Sequence, residues 1–278
     1  MSGAGVCWSD RVDIFGLRLS AIDLDDATAA VENWIAEGTR NFICVTGVHG
    51  VMDSRHDETL RNIHNRAGLV TPDGMPLVWV SRLLGKSRTR QVCGCDLLRR
   101  LTVVSAQRGY RQFYYGGAEG VAERLREVLT AAYPGLEVAG TICPPFRPLT
   151  PEEDETVVAE INAARPDIVW VGLSTPKQEH WMAAHLGRLD APVMIGVGAA
   201  FDFLAGNKRR APMWMRRAGL EWSFRLAAEP RRLWRRYARI VPAFIVLAAG
   251  MLIRGTLARC LGALARVPSR MWSPGVNR

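Results

Sequence analysis

Asp167-Ile168-Val169-Trp170-Val171-Gly172-Leu173-Ser174-Thr175-Pro176-Lys177-Gln178-Glu179-His180-Trp181 decides the fold. Four apolar residues after Asp167 stop at a glycine. A polar, proline-containing loop follows, and then a segment able to start a helix. A continuous apolar run, rather than an alternating one, marks a strand covered on both faces, which is typical of parallel sheets. The same grammar recurs along the chain. Asn41–Thr46 (NFICVT) is a buried strand that runs into Thr46-Gly47-Val48-His49-Gly50. Residues 68–71 (GLVT) form a short strand ending at Pro72-Asp73-Gly74. Arg111–Tyr115 runs into Gly116-Gly117, Leu136–Ala139 is another short strand, and Pro192–Val197 ends at Gly198.

Helices fill the gaps. Ser20 is expected to cap a helix reaching about Glu37, with Leu24, Ala27, Val31 and Trp34 on one face. Val121, Leu125, Val128 and Leu129 define a second. Thr150, Pro151 and Glu153 give an N-cap, a first-turn proline and a capping-box acid for a third, ending near Ala164. Alternating strands and helices predict an α/β fold with a Rossmann-like, doubly wound parallel sheet. In such sheets ligands bind beyond the carboxyl ends of the strands.

Charge divides the chain. Residues 208–278 hold 16 Lys+Arg against 2 Asp+Glu, whereas residues 1–207 hold 20 against 25. The expected organisation is therefore a catalytic α/β domain over 1–207 and a basic helical appendage over 208–278. Such asymmetry implies an anionic partner. Arg231, Arg232, Arg235, Arg236 and Arg239 cluster around Trp234 and Tyr237, and Ile240–Ile253 follow with no charge. Fourteen helical residues reach only about 21 Å, short of a hydrocarbon core of roughly 30 Å. The run therefore reads as an interfacial or re-entrant segment aided by anionic lipid, continued by Leu257, Leu261 and Leu264 among Arg254, Arg259 and Arg266. A docking helix at a homo-oligomer interface is the competing reading. The N-terminus lacks a basic-then-apolar signal pattern. Six scattered cysteines fit a reduced compartment, and the lone Cys93-x-Cys95 makes no zinc site.

Chemistry-bearing residues gather at strand ends. Asp73, bracketed by Pro72 and Gly74, could act as a general base. Thr46 and His49 offer hydrogen bonds beside small residues, and the loop at Gly116-Gly117 could present backbone N–H groups to a nucleotide. Lys177, Gln178 and Glu179 stand in the first turn after the decisive strand. Each motif alone is also an ordinary strand-to-helix turn. Asp23-Leu24-Asp25-Asp26 imitates the metal-binding DxD triplet of sugar transferases, but acids in a first helical turn favour the helix dipole. His180 and His185 lack an HExxH frame.

In order, these motifs resemble the WecG/TagA/CpsF family of bacterial glycosyltransferases over roughly residues 10–240. The resemblance rests on TPDGMPLVW (71–79), GLSTPKQEHW (172–181), GVGAAFDFLAG (196–206) and KRRAP…GLEWSFRLAAEPRRLWRRY (208–237). It implies an inverting enzyme that needs neither metal nor cofactor. Its UDP-sugar donor would carry N-acetylmannosamine, its uronic acid or glucose. The acceptor would be an undecaprenyl-diphosphate-linked saccharide of cell-surface polysaccharide synthesis, met at the cytoplasmic face of the plasma membrane. It also implies that Asp73 is the base, with Thr46 and Gln178 as active-site partners. Arg225, Arg232 and Arg235 would reach the diphosphate, and His49, Asp96, Gly116, Gly117, Lys177 and Glu179 are further binding candidates. Val48-His49 departs from an asparagine common in the family. Gln91 stands where many members carry arginine, and Arg90 is its nearest substitute. A nucleic-acid-binding protein, suggested by the basic tail, is the alternative; it leaves the acidic body's motifs and the apolar run unexplained. A dinucleotide oxidoreductase would need a GxGxxG fingerprint that the chain lacks.

Overall fold

The structure, a computed structural model, describes residues 10–264, with side chains through Arg254. The expected face of Leu257, Leu261 and Leu264 with Arg259 and Arg266 lies outside the described side chains, as do Cys7 and Cys260.

The chain opens with a hairpin, β1 (Arg11–Ile14) and β2 (Leu17–Ser20). Then come α1 (Leu24–Glu37), β3 (Asn41–Thr46), α2 (Val48–His56), α3 (Glu58–Arg66), β4 (Leu69–Pro72), α4 (Met75–Leu83) and α5 (Gly94–Arg108). The middle comprises β5 (Arg111–Gly116), α6 (Val121–Ala132), β6 (Glu137–Ile142), α7 (Pro151–Ala164), β7 (Ile168–Gly172), α8 (Lys177–His185), β8 (Val193–Gly196) and α9 (Ala200–Leu204). The last described elements are helices: α10 (Met213–Arg217), α11 (Glu221–Ala228) and α12 (Pro230–Leu264).

Strands β3 to β8 form one six-stranded parallel sheet in the order β4-β3-β8-β7-β5-β6. Successive side chains of a strand face opposite sides, and both sides are buried here. Ile43, Val45, Tyr114, Ile168 and Trp170 join one apolar cluster with α1, α5, α6 and α9. Phe42, Cys44, Phe113, Tyr115, Val169 and Val171 join the other with α2, α4, α7, α8 and α12.

Two local readings change. Ser20 does not cap α1; it ends β2, fully buried, and its Oγ accepts from Val70 N at 3.0 Å. The cap is Asp23, in a reciprocal box with Asp26: each carboxylate accepts the other's backbone N–H, at 2.9 and 3.1 Å. Asp25 pairs with Arg100. The DxD look-alike is thus occupied by capping and an ion pair. The hairpin, not expected from sequence, turns through Phe15 and Gly16, both at positive φ (58° and 91°).

Among the described residues, Pro230–Leu264 is one long helix rather than a short apolar run. Pro242 lies inside α12 without ending it. Pro230–Arg254 is long and apolar enough, by length and composition, to cross a membrane. One face nevertheless packs on the body: Phe244 is 6% exposed and meets Phe15 edge-on at 5.9 Å, with Ile240, Ala248 and Met251 beside it. Ile245 (61%), Val246 (70%) and Ile253 (61%) point away into the open.

Candidate active site

The carboxyl ends of the central strands and the helices after Gly206 enclose a cleft of about 420 Å³. Its floor is Val45 at the end of β3, Asp73 after β4, Ser174 and Thr175 after β7, and Val197 and Gly198 after β8. Its roof is Phe224 and Arg225 of α11 with Arg232, Leu233, Arg236 and Tyr237 of α12. Body and appendage each supply one wall.

Asp73 is fixed through its backbone. Its N–H donates to Thr46 O at 3.0 Å, continuing the β3–β4 pairing, and its carbonyl accepts from Gln91 Nε2 at 2.6 Å. Gln91, standing where many members of the resembled family have arginine, therefore holds the aspartate's loop. The side chain converges with His49: a Cβ built on Gly47 would lie 3.3 Å from His49 Nδ1 and 3.8 Å from Asp73 Oδ2. Burial, then the nearby Glu221 carboxylate, pushes the Asp73 carboxyl up to about 6, against the pull of Arg225, Arg210 and the Gly94 N–H. That value suits a base working near neutrality. Burial first, then Arg236, Arg225 and His64, drives His49 down to about 4. His49 is thus neutral at neutral pH and acts by hydrogen bonding rather than charge.

Gln178 faces the cleft from the first turn of α8. It is 2% exposed, its Nε2 donates to Glu179 Oε1 at 3.1 Å, and its Oε1 has no protein partner. An unpaired buried acceptor costs stability unless a ligand satisfies it. Space for Gln178 comes from Gly196, where a Cβ would lie 3.1 Å from its Cδ. The loop before it is unusual: Ser174 has φ 66° and Thr175–Pro176 is cis.

Asp73, His49, Gln178, Arg225 and Arg232 therefore line one cleft. The remaining sequence candidates stand elsewhere. Thr46 is 2% exposed beneath the floor, its Oγ1 donating to Cys44 O at 3.3 Å. Glu179 is fully buried behind Gln178 and accepts from Thr175 Oγ1 at 2.9 Å, so it braces the loop. Gly116 and Gly117 use their freedom for packing: a Cβ on Gly116 would meet the Gly172 backbone at 2.9 Å, and one on Gly117 would crowd Val121. Lys177 points out, its Nζ 4.8 Å from the centre of the Phe146 ring. Asp96 is taken by the appendage: Arg210 donates to it at 2.6 Å and Arg216 lies 3.8 Å away. Burial would raise that carboxyl, but the hydrogen bonds from Arg210 and Cys93 outweigh it and hold it below its ordinary value. Arg235 sits outside the cleft, its guanidinium 5.4 Å over Trp234.

Sequence reading missed Arg236, which lines the cleft in place of Arg235. The signal was present: Arg236 is four residues after Arg232, the helical spacing that keeps two side chains on one face. It also missed Lys208, which bridges to Glu229 at 3.2 Å and lines the cleft. His185, set aside as a ligand, binds Trp181 O at 2.7 Å and Asp154 Oδ1 at 3.1 Å. Among the described residues, no group of three or more His, Cys, Asp or Glu could hold a metal ion.

Comparison with known proteins gives the family. The family model described as "Glycosyl transferase WecG/TagA/CpsF family" matches residues 12–257. A protein of Bacillus spizizenii named N-acetylglucosaminyldiphosphoundecaprenol N-acetyl-beta-D-mannosaminyltransferase is 32% identical over 194 residues, 70% of this chain and 72% of its own length. A protein of Staphylococcus aureus with the same name is 29% identical over 245 residues, covering 84% of this chain and 91% of the relative.

Proposed function

The chain belongs to the WecG/TagA/CpsF glycosyltransferase family, and from that premise we propose that it transfers an N-acetylmannosamine-type sugar from a UDP donor to an undecaprenyl-diphosphate-linked saccharide. The relatives' names supply the preferred pair, an N-acetylmannosaminyl donor and an N-acetylglucosaminyl-diphosphoundecaprenol acceptor. The uronic acid and glucose remain in the donor screen. The setting is the cytoplasmic face of the bacterial plasma membrane, where α12 would lie with its outward face in the interface.

The observation that carries the reading is a carboxylate at a strand end facing a wall of guanidinium groups across one cleft. Asp73 would take the proton of the acceptor hydroxyl as that oxygen bonds to the anomeric carbon and the bond to UDP breaks. One displacement inverts the anomeric centre. Charge then grows on the departing diphosphate, and Arg225, Arg232 and Arg236 supply bidentate, permanently cationic donors for it. Gln178, with its free Oε1, would bind a donor hydroxyl or amide.

The test is a screen of UDP-sugars against a lipid-linked N-acetylglucosamine acceptor, read by mass spectrometry. Transfer of one N-acetylhexosamine from UDP-N-acetylmannosamine is the expected result. No transfer from any UDP-sugar would overturn the proposal.

A further inference from the structure

Next to the cleft lies a second recess that the transfer reaction does not use, with a volume of about 390 Å³. It is formed where α12 crosses α2. Arg235, Arg236 and Arg239, with Ile240 and Ala243, come from α12; Asp53, Arg55 and His56, with Met52, come from α2. The spacing explains the convergence: 235, 239 and 243 follow one helical face, and 52 and 56 another.

Four guanidinium groups meet a single carboxylate there. Among the described residues, none of the four makes an ion pair or donates a side-chain hydrogen bond; Arg235 only lies over Trp234. Asp53 is one carboxylate against four guanidinium groups. It is half-buried, and burial raises its carboxyl against the pull of Arg236 and His56. Unpaired guanidinium groups held together repel one another, and a phosphate accepting N–H bonds from more than one of them would relieve that repulsion.

The recess also has a direction. Along α12 the order is cleft-lining residues (232, 233, 236, 237), recess residues (235, 236, 239, 240, 243) and then the outward apolar side chains Ile245, Val246 and Ile253. Ile240 and Ala243 form its apolar edge on that side. A ligand that is anionic at one end and apolar at the other fits this sequence of surfaces, and a free anion would leave the apolar edge unused.

We propose that the recess between α2 and α12 is a binding site for the phosphate headgroup of an anionic membrane phospholipid, whose acyl chains run along the outward face of α12. It rests on the membrane-surface reading above and makes it specific. Docking becomes a stoichiometric contact at named residues, separate from the general attraction of a basic tail. Because Arg236 lines both recess and cleft, an occupied recess also fixes one wall of the active site.

The test uses the full chain and water-soluble dihexanoyl-phosphatidylglycerol below its micelle concentration, titrated by calorimetry. Saturable one-to-one binding is expected. The variant R55Q/R239Q should weaken it by about tenfold or more, since each arginine near an anionic lipid contributes roughly fivefold. R55K/R239K should recover most of it. The control R99Q/R126Q removes the same charge from α5 and α6, across the sheet, and should bind as wild type does. Equal weakening in the control would reduce the effect to net charge and overturn the site. Displacement of the lipid by inorganic pyrophosphate at lower concentration than the lipid itself would assign the recess to a soluble diphosphate, and also overturn it. Turnover of R55Q/R239Q on a short-chain, water-soluble acceptor should stay within about twofold of wild type; a loss as large as the lipid-binding loss would place the recess on the acceptor's path instead. If wild type turned over no acceptor yet bound lipid as described, the proposed reaction would fail and the recess would stand.

Discussion

Replacing Asp73 with asparagine should remove transfer and, at neutral pH, make the fold more stable. The side chain nearly keeps its shape, and the backbone bonds to Thr46 and Gln91 are untouched. The loss of a general base costs about 10²–10⁴ in rate. Stability moves the other way because the carboxyl's pKa is raised in the folded state, from 3.8 to about 6. The native state then binds the proton more tightly than the unfolded chain. That contribution is complete below pH 3.8 and is lost as pH rises through 6. Above pH 6 the charged carboxylate is therefore a cost, at most about 3 kcal/mol for this rise and roughly half that with solvent access through the cleft. Asparagine carries no such charge. The same argument fixes the wild-type pH profile: kcat/KM should fall below pH 6, reaching about one-tenth of its plateau at pH 5.

The assay pairs thermal unfolding at pH 5 and pH 7.5 with kcat/KM on a soluble acceptor across pH 5–8. Wild type and D73N should melt closer together at pH 5 than at pH 7.5, with the variant the more stable at pH 7.5. A flat wild-type profile would refute the base assignment, as would near wild-type turnover by the variant. A variant less stable at pH 7.5 would refute the account of burial.

Glu221→Gln removes the carboxylate that helps raise Asp73, so the acidic limb of kcat/KM should move to lower pH; an upward move would contradict the assignment. Arg210→Gln frees Asp96 and Cys93 and should cost about 2–4 kcal/mol, read as a lower melting temperature. Phe244→Ala removes a buried ring that docks α12 on the hairpin; it should cost about 2–4 kcal/mol and, because α12 carries Arg232 and Arg236 of the cleft, weaken UDP binding by calorimetry. Activity should survive EDTA, because Arg225, Arg232 and Arg236 supply positive charge to the proposed diphosphate; full loss restored by magnesium or manganese would contradict this.

Much of the sheet was legible because its strands are continuous apolar runs ended by glycine or proline. Asn41–Thr46 was read with its observed bounds, and Asp167–Val171 and Pro192–Val197 shifted by a residue or so at their ends. Thr150, Pro151 and Glu153 form the capping box their spacing predicts. The hairpin at 11–20 stayed hidden because its strands have four residues each and its turn is Phe15-Gly16 rather than Asn-Gly. Ser20 misled because its partner, Val70, is fifty residues away. The site was legible where a residue's neighbours are local and illegible where they are distant. Asp73 and Gln178 stand at strand ends wherever the rest of the chain goes. Asp96 depends on Arg210, 114 residues later. The choice between Arg235 and Arg236 depends on how α12 is rotated against α2, which no local pattern records.

That rotation links the two tasks of the basic tail. Phe244, Ile240 and Ala248 hold α12 on the second apolar cluster, and the same docking brings Arg232 and Arg236 over Asp73 and turns Ile245 and Val246 outward. Arg210 and Arg216, anchored on Asp96, tie down the start of the tail. A helix that had simply left the body for the bilayer would have taken the roof of the cleft with it. A helix buried on all sides would have had no free face for lipid. An amphipathic helix docked along one side leaves Ile245 and Val246 outward for the proposed membrane contact while its inward face completes the cleft. On this reading the enzyme has no need of a separate switch to work at the membrane, because the contact that holds α12 for lipid is the contact that assembles the arginine wall.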